Sequence, residues 1–294
     1  LPHTRQQYVF CIMSPILPSL TFHPLPAIDY LSAGIDPQKG KTFIFPHSHV
    51  PELNQLLLPF LTLVTNAELN RNPTVKEEIA SSGLKRINAG MYTYPVHQAA
   101  DILFCKGNVV PVGKDQLPHL ELTRQIARRF NERFALNKAV FPEPQALLSK
   151  TPMILGLDGS QKMSKSRNNA IMLNASEEDT ANLIKKAKTD SERLITYDPV
   201  NRPEVSNLLS LISLATGKDP ELIASDIGTK GSGSLKTEVI EAINTYLKPI
   251  REKRKELEQN PDYIRKVLLE GVESARYEAA KTLEEVRDVM NMKI

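Results

Sequence analysis

Leu157-Asp158-Gly159-Ser160-Gln161-Lys162-Met163-Ser164-Lys165-Ser166-Arg167-Asn168-Asn169 sets two lysines three apart among small hydroxyl residues. Asp, Gly and Ser lead into the pair, and Ser, Arg and two Asn lead out, which is the composition of a surface loop and not of a helix face. Each ammonium is a compact charge with three donors, and the serine hydroxyls add hydrogen bonds. The stretch therefore suits an anion with several oxygens, a triphosphate first among them. A solvated basic loop is the alternative reading.

Outward from this loop, the chain is an ordinary globular one. Its 294 residues leave room for two domains, and its 41% hydrophobic and 24% charged content are typical of folded proteins. The net charge of +3 permits contact with a polyanion without demanding it. Cys11 and Cys105 stand far apart and spell neither a disulfide framework nor a cysteine metal site, so a cytoplasmic or organellar-matrix setting is expected. No run approaches the roughly 18 apolar residues of a membrane span, and no cationic start leads into an apolar signal segment. The chain begins with Leu1, not Met, and reads as a fragment lacking its start.

The pattern before the loop alternates strands and helices. Residues 8–13 read as a buried strand, followed by a proline-rich stretch to Pro26 that suits neither a regular helix nor a central strand. Residues 29–33 resemble a helix end, with Gly34 as its left-handed cap. Residues 42–45 read as a strand, and 52–69 as a helix kinked at Pro59. Residues 94–104 form a helix, 108–112 a strand and 115–134 a long helix. This alternation predicts an α/β fold with a parallel sheet over residues 1–175. Beyond it the pattern is helical. Ser176 caps a helix to about residue 187, and 205–216 form another, stopped by Gly217. Residues 231–234 read as a linker-like turn, and two long amphipathic helices cover 235–258 and 261–291. Residues 176–294 are thus expected to form an all-helical second domain.

Two further stretches carry chemistry. Val110-Pro111-Val112-Gly113-Lys114-Asp115-Gln116 is a strand feeding a glycine turn and a helix, the kind of place where ligands sit in open α/β sheets. Asp115 can accept from ribose hydroxyls or simply cap the helix. In Tyr92-Thr93-Tyr94-Pro95-Val96-His97-Gln98-Ala99-Ala100-Asp101-Ile102-Leu103, a helix starting near Pro95 places Gln98 and Asp101 on one face, with Tyr94 about a turn earlier. A carboxylate among alanines and leucines needs a donor. An aromatic N–H is one candidate for Asp101, and a backbone N–H or a basic side chain is the other.

These residues carry a resemblance. From Asp29 to Met290, nearly nine-tenths of the chain, the sequence resembles the bacterial or organellar tryptophanyl-tRNA synthetases, a class I aminoacyl-tRNA synthetase family. The motifs are Ile87-Asn88-Ala89-Gly90, the Tyr94-to-Leu103 stretch, Val110 to Gln116, Glu121-Leu122-Thr123-Arg124 and Lys162 to Ser166. The resemblance implies a Rossmann-like catalytic domain and a helical anticodon-binding domain with a returning C-terminal helix. It further implies charging of tRNA with tryptophan through an adenylate, a homodimer, and ATP as substrate with its Mg²⁺. By it, Asp101 accepts the indole N–H, Tyr94 and Gln116 hold the α-amino group, and Gln98 stands where many members carry Met. Gly113, Lys114 and Asp115 line the adenosine and ribose site, with Ile154 against the adenine. Lys162 and Lys165 neutralise the β- and γ-phosphates within the loop that Met163, Ser164 and Ser166 complete. A tyrosyl-type enzyme shares fold and loop and is the near rival.

The departures from the family lie near the start. Nothing matches the family's other phosphate-binding signature, written HIGH, and residues 14–26 replace its Asp-x-His-Ala segment and helix. The reading is therefore of an N-terminally truncated enzyme, with a non-catalytic remnant that binds tryptophan or tRNA as its rival. Pro46-His47-Ser48-His49-Val50 resembles a later family segment and is given no role. His97 and His119 lie at ordinary helix positions, and no metal site is read from the sequence. Lys248, Arg251, Lys253, Arg254 and Lys255 form either a solvated helix face or, with Lys185, Lys186 and Lys188, a contact for tRNA phosphates.

Overall fold

The computed structural model describes residues 8–12, 25–38, 42–82, 88–148, 154–160, 163 and 168–293, with backbone alone at 8–12, 25, 78, 81 and 82. The chain divides into two compact units. One comprises Leu1–Ala27, Asp36–Ser149 and Asp262–Ile294, and the other Ile28–Ile35 and Lys150–Pro261.

In the first unit, strand β1 (Tyr8–Ile12) pairs in parallel with β2 (Thr42–Pro46), in the register Tyr8 to Thr42 and Ile12 to Pro46. Strand β3 (Val109–Pro111) pairs in parallel with β4 (Gln145–Leu147). Parallel partners need a long crossover. Helix α6 (Leu117–Phe134) provides it between β3 and β4. The parallel α/β expectation holds, although among the described residues the strands are short and form two separate pairs.

The helices differ from the expectation in informative ways. The single kinked helix over 52–69 is two helices, α2 (Asn54–Leu61) and α3 (Asn66–Arg71). Pro59 sits inside α2 without breaking it, and the break falls at Thr65. Thr65 starts a capping box: its hydroxyl accepts from Glu68 N at 3.3 Å, while the Glu68 carboxylate accepts from Thr65 N at 2.8 Å. Satisfying two orphan donors at once outweighs continuing the earlier helix. Helix α4 (Pro73–Ser82) follows. Helix α5 (Ala89–Leu103) begins six residues before Pro95, because the Asn88 side chain accepts from Met91 N at 2.8 Å and caps it. Pro95 and Val96 are buried, and this packing offsets the one backbone bond that a proline forfeits.

The core of this unit gathers Phe45, Phe60, Phe104, Phe130 and Phe141 with apolar residues of α2, α5 and α6. Ala275, Ala279, Leu283 and Val286 of the last helix, α11 (Pro261–Val289), join it.

The second unit is helical. Helix α1 (Leu25–Ser32) contributes Ile28 onward, and Gly34 takes the left-handed φ of 99° expected of its cap. Ser176 caps α7 (Glu177–Lys185), and Gly217 (φ 74°) closes α8 (Pro203–Thr216), both as expected. Helix α9 (Pro220–Ile227) precedes α10 (Gly231–Glu258). The linker-like turn at 231–234 is instead the first turn of α10, which the buried Gly231 and Leu235 seat on this unit's core. Among the described residues, no helix is long and apolar enough to cross a membrane.

Candidate active site

Helix α5 carries three of the candidate residues. Tyr94, Gln98 and Asp101 all lie on it, and all are half-buried. The turn after β3 brings the next group: Gly113 has extended backbone, and Lys114–Gln116 form one 3-10 turn before α6. Helices α5 and α6 pack together, and their side chains meet. Gln98 Nε2 donates to Gln116 Oε1 at 3.2 Å, and Gln116 Nε2 donates to Asp115 Oδ2 at 3.1 Å. The result is a relay of amides from the middle of α5 to the Asp115 carboxylate. The N-cap residues of the 3-10 turn and of α6 are Gly113 and Gln116, neither with a side-chain cap bond.

Tyr94 belongs to a second network. Its Oη lies 2.9 Å from His119 Nε2, and His119 Nδ1 lies 3.3 Å from Asn72 Nδ2. With the amide donating to Nδ1, the ring carries its proton on Nε2 and donates it to Tyr94. Asn72 Oδ1 in turn accepts from Thr74 N, and Thr74 Oγ1 donates to the Asp115 carbonyl at 2.8 Å. His119 is only 1% exposed. A buried imidazole with both nitrogens engaged is a fixed post, and it holds the tyrosine ring at one angle. Helix periodicity marks His119 as ordinary; nothing in one sequence signals this bond.

Asp101 faces a residue to which sequence reasoning assigns no role. His47, directly after β2, places Nε2 2.9 Å from Asp101 Oδ1. The distance is that of an ion pair, but neither atom has an aligned hydrogen bond, and both are buried. His97 completes a cluster, its ring edge-on to His47 at 4.5 Å between centroids and its Nε2 3.0 Å from Asn54 Oδ1. Burial holds the His97 imidazole below its ordinary pKa; Asp101 opposes this and His47 adds to it. One donor atom from each of His47, His97 and Asp101 lies within 4.8 Å of the others.

The loop lysines Lys162 and Lys165, with Ser164 and Ser166, lie outside the described residues. The flanks of the loop are described. Gly159 takes a left-handed φ of 83°, and the buried Asn169 donates to Asp158 Oδ1 at 3.0 Å and Ser160 Oγ at 2.8 Å. Bonds from Ser160 and Asn169 bring the Asp158 carboxyl down to about 2. Met163 N donates to the Ile154 carbonyl at 3.2 Å, and both side chains pack on the second unit's core. Asn207 pins the strand-like segment beside them, accepting from Leu155 N and donating to Leu155 O.

A family model for class I tRNA synthetases (W and Y) matches residues 25–248. The chain belongs to that family. Among curated relatives of these class I synthetases, the tryptophan–tRNA ligase of Treponema pallidum is 39% identical over 90% of this chain and 78% of its own length. That of Thermotoga maritima is 40% identical over 90% of this chain and 80% of its own. Among solved structures, the tryptophanyl-tRNA synthetase of Campylobacter jejuni, complexed with ADP and tryptophan, superposes with a TM-score of 0.71 at 31% identity, covering 91% of this chain and 82% of that one. The tyrosyl-tRNA synthetase of Aeropyrum pernix is 20% identical over 85% of this chain and 71% of its own, with a TM-score of 0.58, a likeness of fold alone.

Proposed function

We propose that the protein activates tryptophan with ATP and transfers it to the matching tRNA. The identity of about two residues in five to tryptophan–tRNA ligases over nine-tenths of the chain carries this reading. An acceptor-only carboxylate at Asp101, set among the buried Ala99, Ala100 and Leu103, suits the indole N–H.

Tryptophan is held at Tyr94 and Gln116 through its α-amino group and at Asp101 through its ring, with Gln98 steadying Gln116. Gly113, Lys114, Asp115 and Ile154 take the adenosine, Asp115 accepting from the ribose. The tryptophan carboxylate attacks the α-phosphate and Mg²⁺-pyrophosphate departs. Lys162 and Lys165, helped by Met163, Ser164 and Ser166, neutralise the charge that builds on it. The resulting mixed anhydride then acylates the terminal ribose of tRNA. Such a reaction needs positioning and charge neutralisation more than covalent help. In this reading residues 1–175 are the catalytic domain and 176–294 the anticodon-binding domain, whose C-terminal helix α11 returns to the core of the first unit. The working form is a cytoplasmic or organellar homodimer.

Tryptophan-dependent ATP–pyrophosphate exchange on the purified chain tests this. Exchange with tryptophan and not with tyrosine is expected. Exchange driven by tyrosine would replace the substrate, and tryptophan binding without exchange would leave the non-catalytic remnant.

A further inference from the structure

We propose that His47, His97 and Asp101 form a binding site for a divalent transition-metal ion, and that an ion held there excludes tryptophan. The exclusion rests on the reading of Asp101 as the indole acceptor; the metal site does not.

The donor set comes from two elements of one compact unit. His97 and Asp101 are four apart on α5, so their side chains rise from the same face one turn apart. The 3-10 turn after β2 lowers His47 onto that face. The His47 nitrogen and the Asp101 oxygen are buried, 2.9 Å apart and without hydrogen-bond partners. Buried polar atoms are nearly always satisfied, so a close pair that is not calls for an account. Two ligand atoms at that separation, each about 2.0–2.1 Å from a shared ion, subtend roughly 90° at it, and a shift of a few tenths of an ångström opens this to tetrahedral. An ion satisfies both atoms at once.

His97 has the features of a third ligand. Its Nε2 lies 3.0 Å from Asn54 Oδ1. With the proton on Nε2 donated there, the ring is oriented and the other nitrogen keeps its lone pair, the arrangement in which metal-bound histidines are held. Two imidazoles and one carboxylate suit Zn²⁺, Co²⁺ or Ni²⁺; the Mg²⁺ that travels with ATP prefers oxygen ligands throughout.

If Asp101 is bound to an ion, its carboxylate is no longer an acceptor for an indole N–H. The same residue then reports tryptophan in the absence of metal and metal in the absence of tryptophan.

The test uses the untagged full chain. Co²⁺ is titrated in and followed by visible absorption, and Zn²⁺ is titrated calorimetrically. The expected result is one equivalent bound, with affinity lowered at least about tenfold in His47→Ala and in His97→Leu and no competition from Mg²⁺. The chain contains no tryptophan, so the change in emission of added tryptophan on binding is read without tryptophan emission from the protein. Zn²⁺ at saturation is expected to weaken that binding in the wild type and leave it unchanged in His97→Leu. Absence of binding at millimolar Co²⁺ and Zn²⁺, or binding unaltered in both histidine variants, overturns the site. Zn²⁺ bound through the histidines with tryptophan affinity unchanged overturns the exclusion. Asp101→Asn separates the two readings: loss of metal with tryptophan binding intact removes Asp101 as indole acceptor and leaves the metal site standing.

Discussion

Gly271 of α11 lies directly against the backbone of Ile44 in β2: a Cβ built on Gly271 would stand 2.0 Å from the Ile44 carbonyl oxygen and 2.8 Å from its carbon. The obstacle is main chain of a buried strand, so it cannot swing aside. The C-terminal helix can therefore approach the sheet only where it has no side chain.

Gly271→Ala is accordingly expected to destabilise the fold by about 3 kcal/mol or more, at the upper end of overpacking costs. Thermal unfolding of the variant beside Gly233→Ala checks this. Gly233 is also helical, but nothing lies within 4 Å of its Cβ position, so that change is expected to be neutral or stabilising by up to ~1 kcal/mol. Equal melting temperatures for the two variants would contradict the close approach.

Glu68 predicts an acid-sensitive element. It accepts from Thr65 N at 2.8 Å and from Arg129 Nη1 at 3.1 Å, while Arg129 Nη1 also donates to Leu63 O at 2.7 Å. The Arg129 bonds foremost, then the Thr65 N–H, bring the Glu68 carboxyl from 4.5 to about 2. A depressed carboxyl stabilises the fold fully above its unfolded pKa, and that contribution fades as pH falls from about 4.5 to about 2. Arg129 is partly exposed, so screening limits the pair to about 1 kcal/mol. Urea midpoints measured from pH 6 down to pH 2 are expected to fall less steeply for Glu68→Gln than for the wild type, with the two curves converging at the acid end.

Cys105 is expected to be chemically quiet. Its Sγ donates to the Ile102 carbonyl at 3.4 Å, and burial pushes the thiol up to about 12. The thiolate is the nucleophile, so alkylation at pH 8 is expected to run at least about a hundredfold slower than for an unstructured cysteine. Peptide mass spectrometry after iodoacetamide treatment distinguishes this site from Cys11, and urea should abolish the protection.

Lys165→Ala tests the loop lysines. Loss of charge opposite the departing pyrophosphate is expected to slow adenylate formation by about a hundredfold or more and to leave tryptophan binding within about twofold. Single-turnover formation of the adenylate and the fluorescence of bound tryptophan read the two quantities. Equal losses in both would count against a role confined to the phosphates.

Much of this molecule is legible in one dimension. Strand and helix alternation marks β1, β2 and β3, because hydrophobic period and turn residues are local properties; β4 (Gln145–Leu147) and both parallel pairings come from the tertiary structure. Ser176 and Gly217 mark helix ends for the same reason. Tyr94, Gln98, Asp101, Asp115 and Gln116 stand out in sequence because each lies in a short motif. Helix starts governed by competing caps were less visible: Thr65 and Asn88 overrule Pro59 and Pro95 through bonds three residues long.

By itself, then, the sequence determined the class of fold and which motifs carry polar chemistry, since these are written in local composition and spacing, and the resemblance of those motifs pointed to the family. Only the tertiary structure decided which side chains face one another. His119 behind Tyr94 and His47 opposite Asp101 are pairs 25 and 54 positions apart in the chain. Their juxtaposition follows from the packing of α5 on α6 and from the end of β2. Contacts of that kind depend on how whole elements dock, which no local run of residues encodes.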